Sequence, residues 1–238
     1  MEEFPGEEVV GSKTLAGLAE RLRCHKSSTG VDECNGVVAD MSRRKKTAAV
    51  LVCLFQGIEG ELRVILTKRS MKLSSYPGDV ALPGGRMDES DTDETATALR
   101  EAMEEIGLDP SLVQVVAILE PFTCQRLNDV VPVVGLIEKM EEFNPLLNAD
   151  EVDAIFDAPL DMFLKDENHM YEERDWMGWK YAVHRFTYRA TGGTTFHILG
   201  LTARILIRVA SIVYARSPLF DTRTLDFQRL QQLLSYAE

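Results

Sequence analysis

Residues 82–108 read LPGGRMDESDTDETATALREAMEEIGL, a glycine-containing segment followed by an acidic stretch with helical spacing. It predicts a helix over about 93–106 that turns by about 100° per residue, so that Glu101, Glu104 and Glu105 crowd one face. Like charges four residues apart destabilise a helix by about 0.2–0.5 kcal/mol per pair. Carboxylate oxygens on a rigid element suit Mg²⁺ or Mn²⁺, which would turn this repulsion into binding. The stretch therefore predicts a divalent-cation site, with a solvated acidic helix face as the ordinary alternative.

The same helix has a separate apolar side, and a glycine loop precedes it. The side expected to face the core consists of residues at helical spacing, namely Ala96, Leu99, Met103 and Ile106. Before the helix, residues 83–85, Pro-Gly-Gly, allow a close backbone approach at the end of a strand. Gly107 is expected to end the helix as its C-cap. A strand, a glycine loop and Arg-Glu-x-x-Glu-Glu-x-Gly in this order favour the metal site over the solvated face.

The flanking sequence predicts a mixed β-sheet with helices packed on it. Runs rich in β-branched residues and bounded by turn residues predict strands at 48–55, 62–67, 80–82, 113–119, 130–137, 181–187 and 195–198. Helical spacing of apolar residues predicts two more helices, at 12–23 and 201–215. This mixture is typical of helices layered on a sheet.

The length and the net charge of the chain limit the classes of function that are expected. The 238 residues favour one domain with terminal extensions. The 26 Lys and Arg against 38 Asp and Glu give a net charge of −12, which weighs against nucleic-acid binding as the main activity. An anionic substrate would need local positive charge, and a divalent cation is the expected source. The longest apolar run, 198–214, contains Arg204 and Arg208 and predicts no membrane span.

Cysteine usage and the N-terminus predict a cytoplasmic location. The four cysteines form no CxxC pair and are expected to be reduced thiols, namely Cys24, Cys34, Cys53 and Cys124. The first residues, MEEFPGEEVVG, lack the basic segment of a signal peptide and the arginines of a transit peptide. A basic run at 43–46 is interpreted as a solvated segment that leads into the first strand. The alternatives are a nuclear localisation signal and a phosphate-binding patch.

Residues 100–108, REAMEEIGL, resemble the second half of the Nudix box, G-x5-E-x7-R-E-U-x-E-E-x-G-U, where U is a bulky aliphatic residue. Ala102 stands at the first of the bulky positions. Counting back from Arg100 places Arg86 and Thr92 where the box has Gly and Glu. One extra residue between the glycine loop and the helix would explain this offset. The residues whose role in the first half stays open are Asp91, Asp93 and Glu94.

A second resemblance indicates the substrate. Residues 66–88, LTKRSMKLSSYPGDVALPGGRMD, are similar to the pattern L-L-T-x-R-S-x3-R-x3-G-x3-F-P-G-G-x-x-D of coenzyme A Nudix hydrolases. Ser74 replaces the second Arg of this pattern, and Leu82 replaces its Phe. The plant branch of that family is similar over 48–217, although Tyr76 stands where that branch usually has His.

The resemblance implies an α/β Nudix fold, an α/β/α sandwich with a mixed β-sheet. We expect an N-terminal helical and loop extension at 1–45, the Nudix hydrolase domain at 46–216 and a C-terminal tail at 217–238. The family also implies a homodimer. No nucleic-acid or membrane partner is expected.

The activity that the resemblance implies is metal-dependent hydrolysis of the pyrophosphate bond of coenzyme A or an acyl-CoA. The products would be 3′,5′-ADP and 4′-phosphopantetheine or its acyl form. Glu101 and Glu105 would hold Mg²⁺ or Mn²⁺, and Glu104 would be a further ligand or a base for the attacking water. Arg100 would orient Glu101, with a helix-surface ion pair as the alternative. Two other functions stay open: hydrolysis of ADP-ribose or another nucleoside diphosphate derivative, and a non-catalytic nucleotide-sensing or partner-binding role.

Several residues outside the box are candidates for the site. Arg69, together with Gly84 and Gly85, is expected to bind the substrate through its phosphates, and a structural ion pair of Arg69 is the alternative. Glu151 is a candidate loop carboxylate that reaches the metal site, or else an exposed glutamate at a helix start. The histidines lack ligand spacing and are expected to be surface or packing residues, namely His169, His184 and His197. Three aromatic residues are expected to pack, with a lid or a dimer contact as alternatives, namely Trp176, Trp179 and Tyr181.

Overall fold

The computed structural model describes residues 15–25, 47–123, 129–176 and 179–222. The helices in these ranges are α1 (Leu15–His25), α2 (Glu94–Ile106) and α3 (Gly200–Tyr214). The strands are β1 (Thr47–Gln56), β2 (Leu62–Arg69), β3 (Val80–Ala81), β4 (Gly84–Arg86), β5 (Gln114–Ile118), β6 (Phe122–Thr123), β7 (Asp129–Ile137), β8 (Val152–Pro159), β9 (His169–Trp176), β10 (Trp179–Arg189) and β11 (Thr195–Leu199). Short 3-10 helices occur at Pro110–Leu112, Met140–Glu142 and Leu160–Leu164.

The main sheet is mixed, as predicted. Its central strand β1 runs parallel to β7, from the Thr47–Asp129 pair to the Phe55–Ile137 pair. The same strand runs antiparallel to β2 and to β4. Strand β8 lies beyond β2 and pairs with it in the antiparallel sense. The antiparallel strands β9, β10 and β11 form a separate small sheet.

Helices cover both faces of the main sheet, which confirms the α/β/α sandwich. On one face, Ala102 and Ile106 of α2 are buried together with Leu51 of β1. On the opposite face, α1 and α3 pack into a second apolar cluster that includes Leu22 and Leu206. Among the described helices, only α2 lies over this side of β1, where it contacts the glycine segment of β4.

One part of the prediction for α2 is wrong. Met103 was expected to face the core, yet it is 49% exposed. The inner side is instead turned toward Ala98 and Ala102, whose short side chains let the helix approach the sheet closely. This rotation also carries Glu105 inward, where it is only 4% exposed.

Several strands were not predicted, and the reasons differ. Strand β4 contains two glycines and forms because it pairs with 48–50 of β1, a contact that local propensity does not encode. Strand β8 follows the turn that holds Glu151, so that this residue precedes a strand and does not start a helix. The predicted strand at 80–82 is shorter, at Val80–Ala81. The predicted helix at 12–23 is observed as α1 at Leu15–His25, and residues 12–14 lie outside the described part of the chain.

Several residues named from the sequence are buried or packed, and others lie outside the described part of the chain. Tyr181 and His184 are buried, and Cys53 is a buried free thiol. His169 stacks on Phe220, with 3.7 Å between the ring centroids. Among the described helices, none has the length and apolar character needed to cross a membrane. Features outside the described residues or side chains are the basic run 43–46, Cys34, Cys124 and the side chains of Cys24, Trp176 and Trp179.

Candidate active site

The ends of α2 are fixed by local capping. Asp93 is the N-cap, and its side chain accepts a hydrogen bond of 2.8 Å from the backbone N–H of Ala96. Gly107 ends the helix with φ of 70°, as the C-cap prediction requires. Asp93 therefore has a structural role at the start of the helix that carries the glutamates.

Three carboxylates meet beside this helix. Oxygen atoms of Glu101, Glu105 and Glu151 lie within 4.8 Å of one another. We name these three residues the carboxylate trio. Glu101 and Glu105 come from successive turns of α2, whereas Glu151 comes from the turn before β8. That turn is tied to α2, because the backbone N–H of Asn148 donates to the carbonyl of Glu105 at 3.0 Å.

The loop after β2 also holds Glu151 in place. The backbone N–H of Ser70 donates to the carbonyl of Glu151 at 2.8 Å. Beside it, the Lys72 ammonium pairs with Asp150 at 2.8 Å. The pair is exposed and therefore contributes little stability, but it adds a second link between the same two loops. Local sequence patterns could not predict these contacts, because the paired residues lie far apart in the chain.

The two glycines of the loop allow the trio to form. The backbone N–H of Gly84 donates to the Glu105 carboxylate at 3.2 Å. Gly84 has φ of 151°, and a Cβ at this position would overlap the backbone carbonyl of Ala49. A Cβ on Gly85 would overlap the carboxylate of Glu101. Gly84 thus lets this segment lie against β1, and Gly85 leaves room for the Glu101 carboxylate.

Burial sets the electrostatics of the trio. It raises the pKa of Glu105 to about 7, although the N–H of Gly84 opposes this shift. Burial also raises the pKa of Glu101, against the opposing charge of Arg100. Carboxylates that lie this close together and are shielded from water repel one another when ionised. A divalent cation would relieve that repulsion. The all-oxygen set fits Mg²⁺ or Mn²⁺.

Arg100 links a buried carboxylate to the glutamates of the box. Its Nε and Nη2 donate to the two oxygens of Asp91, each at 2.9 Å. Asp91 is 6% exposed and also accepts from the Thr97 hydroxyl at 2.9 Å. The Nη1 of Arg100 donates to Glu101 at 3.1 Å and to Glu104 at 3.0 Å. This bidentate pairing fixes the guanidinium in one orientation and, through it, the two glutamates.

Asp91 occupies the place of the first acidic residue of the box. It follows Gly85 after five intervening residues, 86–90, as in G-x5-E, with Asp in place of Glu. Eight residues, 92–99, then separate it from Arg100, where the box has seven. The extra residue thus falls after Asp91, and counting forward from Gly85 is the sequence signal that finds it.

Arg69 and Glu104 are two further candidate residues, and they differ in burial. The Nε of Arg69 is buried and has no hydrogen-bond partner in the part of the chain that the structure describes. Its positive charge acts on Glu105 and lowers the pKa of that carboxyl against the effect of burial. Glu104 lies outside the trio, and its side chain is 53% exposed. Arg69 therefore acts electrostatically on the buried Glu105, whereas Glu104 faces solvent.

We expect Asp91→Asn to lower both stability and turnover. Asn keeps the shape but loses the charge that pairs with Arg100, and removing one partner of a buried pair costs about 3 kcal/mol. The guanidinium would no longer be fixed, so kcat should fall by about tenfold. Urea unfolding and steady-state kinetics measure the two effects. Asp93→Asn is the matched control, because Asn is an equally good N-cap; equal losses in both variants would contradict the role of Asp91.

Acid should weaken the fold through the same pair. The Arg100 hydrogen bonds lower the pKa of Asp91 from 3.8 to about 2. The unfolded state then binds more protons between these values, so the stabilisation is complete above about pH 4 and is lost as the pH falls toward 2. Urea unfolding from about pH 6 to about pH 2.5 should show a smaller loss in Asp91→Asn than in the wild type. Identical curves would contradict this assignment.

Comparison with known proteins places the chain in a family. The family model described as NUDIX domain matches residues 45–179. This segment contains the carboxylate trio, Arg69, Asp91 and Arg100. Strands β10 and β11 and helix α3 continue beyond it and pack into the apolar core.

Three relatives illustrate the similarity. Nudix hydrolase 15, mitochondrial, of Arabidopsis thaliana is 59% identical over 177 residues, which are 74% of this chain and 62% of that protein. Nudix hydrolase 22, chloroplastic, of the same plant is 52% identical and covers 88% of this chain and 76% of its own. Peroxisomal coenzyme A diphosphatase NUDT7 of Mus musculus is 41% identical and covers 68% of each. The chain thus spans less than two thirds of the first of these relatives. With the matched domain, these identities show that the chain belongs to the Nudix hydrolase family of pyrophosphohydrolases.

Proposed function

We propose that the protein hydrolyses the pyrophosphate bond of coenzyme A or an acyl-CoA to 3′,5′-ADP and 4′-phosphopantetheine or its acyl form. The observation that carries the proposal is the carboxylate trio together with Arg69, whose buried Nε has no hydrogen-bond partner among the described residues. The similarity of 66–88 to the coenzyme A pattern supports the substrate. The mouse relative, whose name includes coenzyme A diphosphatase, supports it as well.

Each residue of the site has a proposed task. Bound to the trio, Mg²⁺ or Mn²⁺ would lower the pKa of a water and neutralise charge on the pyrophosphate. Glu101 and Glu105 supply oxygens from the rigid helix, and Glu151 supplies one from the loop. Glu104 faces solvent and is the candidate to accept the proton of the attacking water. Arg100 holds Glu101 and Glu104 in their orientations.

Arg69, Gly84 and Gly85 are the proposed contacts to the substrate. A buried N–H without a partner costs free energy, and a phosphate oxygen next to Arg69 would satisfy it. This local charge matters because the whole chain carries −12 and would otherwise repel an anionic substrate. A Cβ at Gly84 would meet β1 and one at Gly85 would meet Glu101, so glycine lets this segment lie close to the trio, where the pyrophosphate would bind.

The experiment that tests the proposal is product analysis by mass spectrometry. The purified full chain with Mg²⁺ or Mn²⁺ and coenzyme A should yield 3′,5′-ADP and 4′-phosphopantetheine. Glu101→Gln should abolish most of the turnover, whereas Glu94→Gln, on the same helix but outside the trio, should preserve it. A higher kcat/KM for ADP-ribose than for coenzyme A would move the activity to nucleoside diphosphate derivatives. Ligand binding without turnover at any metal concentration would indicate a sensor.

The proposal also includes a cytoplasmic homodimer with one Nudix domain at 46–216. The buried free thiol of Cys53 fits a reducing compartment. Cell fractionation tests the location, which matters because the three relatives are named for the mitochondrion, the chloroplast and the peroxisome. The dimer rests on the family resemblance, and sedimentation of the purified chain tests it.

A further inference from the structure

A groove follows the outer edge of β8, next to the candidate active site. Its volume is about 460 Å³, within the range of about 300–1,000 Å³ that small-molecule sites occupy. One wall is formed by the five consecutive residues 153–157 of β8. The other lining residues come from β2 and from the β10–β11 hairpin, namely Arg63, Lys68, Tyr188, Ala190, Thr191, Thr194 and Phe196.

The groove exposes the edge of a strand. Along its inner side β8 pairs with β2, from Arg69–Val152 to Arg63–Pro159, and no other described strand pairs with it. Because successive residues of β8 point to opposite faces, a wall of five consecutive residues presents the backbone edge. A strand edge of this kind offers backbone N–H and C=O groups to an extended ligand that contains amides, and the carbonyl of Asp157 already accepts a hydrogen bond from Arg63 at 3.4 Å.

The charges in the groove balance one another. Arg63 and Lys68 line it together with Asp153 and Asp157, two cations against two carboxylates. Arg63 already donates to Asp157 and, at 3.0 Å, to the hydroxyl of Tyr188. A phosphorylated occupant would meet no excess of positive charge in this lining, so the balance favours an uncharged ligand with polar groups.

One end of the groove is aromatic and the other is near the trio. The ring of Phe156 stacks on Phe196, with 3.7 Å between centroids, and faces Tyr188 at 6.1 Å. The opposite end begins at Asp153, two residues after Glu151. Two residues span at most about 7 Å, so the backbone of Asp153 lies within about 7 Å of the backbone of Glu151.

We propose that this groove binds the pantetheine arm of the substrate, the half that leaves as 4′-phosphopantetheine. The arm is neutral and extended, and its two amides can pair with the β8 edge. Its thiol or acyl end then reaches the rings of Phe156, Phe196 and Tyr188. This inference deepens the proposed function and rests on it, because the pyrophosphate must lie at the trio for the arm to enter at Asp153.

Blocking the groove tests the inference. Thr194 is exposed in the turn before β11 and lines the groove, so Thr194→Trp would fill part of it. Thr195→Trp is the matched control, because the next residue is equally exposed but does not line the groove. In Thr194→Trp, KM for coenzyme A and KI for 4′-phosphopantetheine should rise by about tenfold or more. KI for 3′,5′-ADP and kcat at saturation should stay within about twofold of the wild type, which also shows that the variant is folded.

Two results with Thr194→Trp would contradict the inference. An unchanged KI for 4′-phosphopantetheine in Thr194→Trp overturns the assignment of the groove. So does a raised KI for 3′,5′-ADP alone, because that would place the nucleotide half there. Either result leaves the proposed function standing while the wild type cleaves coenzyme A. A wild-type protein that does not cleave coenzyme A overturns both.

Discussion

Glu105→Gln should lower kcat/KM by about 1,000-fold or more and should stabilise the metal-free protein at the same time. The loss of rate follows because Gln removes a charged oxygen from the trio, where charge on the pyrophosphate must be neutralised. The gain in stability follows because Glu105 is almost fully buried beside Glu101 and Glu151. Gln has the same shape, carries no charge and still accepts the N–H of Gly84.

The expected gain is about 1–3 kcal/mol in the free energy of unfolding, measured by urea in the presence of EDTA. Glu104→Gln is the matched control. Its side chain faces solvent and pairs with Arg100, so this variant should lose most of its turnover without becoming more stable. A Glu105→Gln protein that unfolds at a lower urea concentration than the wild type would contradict the inference that the buried carboxylate lowers the stability of the metal-free protein.

Gly84→Ala should destabilise the fold by about 3 kcal/mol or more, whereas Gly85→Ala should mainly impair activity. At Gly84 the added Cβ would meet the backbone of Ala49 and Val50 in β1, and φ of 151° is unfavourable for Ala. The backbone of the central strand cannot move aside without breaking its pairs with β4 and β7.

At Gly85 the added Cβ would meet only the carboxylate of Glu101, the end of a flexible side chain. That group can shift, but it then leaves the trio, so kcat should fall by about 10–100-fold with little loss of stability. Urea unfolding and kinetics of the two variants, made side by side, separate these effects. Equal stability of Gly84→Ala and Gly85→Ala would contradict the backbone overlap at the first position.

Local pattern was enough to predict the box helix and the central strands. The spacing of 93–106 and the glycine at 107 fixed α2 because its caps are encoded within a few residues. The same local pattern could not predict which face of the helix is buried. Apolar character favoured Met103, but the short side chains of Ala98 and Ala102 decide how closely the helix approaches the sheet.

Pairing between distant segments explains what the sequence did not show. In strand β8, the apolar residues Val152, Ala154 and Phe156 alternate with neighbours that are acidic or apolar. The acidic neighbours made this segment hard to recognise as a strand from its sequence. Strand β4 is two glycines and an arginine, and only its partner β1 makes it a strand. The approach of Glu151 to the helix depends on loop contacts, so the sequence raised it only as a candidate, without its neighbours.

Anomalous diffraction from crystals soaked in MnCl₂ would show whether the trio binds a divalent cation. We expect one strong manganese peak bonded to carboxylate oxygens of Glu101, Glu105 and Glu151, and its loss in Glu105→Gln crystals treated in the same way. Manganese bound only elsewhere, or a peak that persists unchanged in Glu105→Gln, would contradict this expectation.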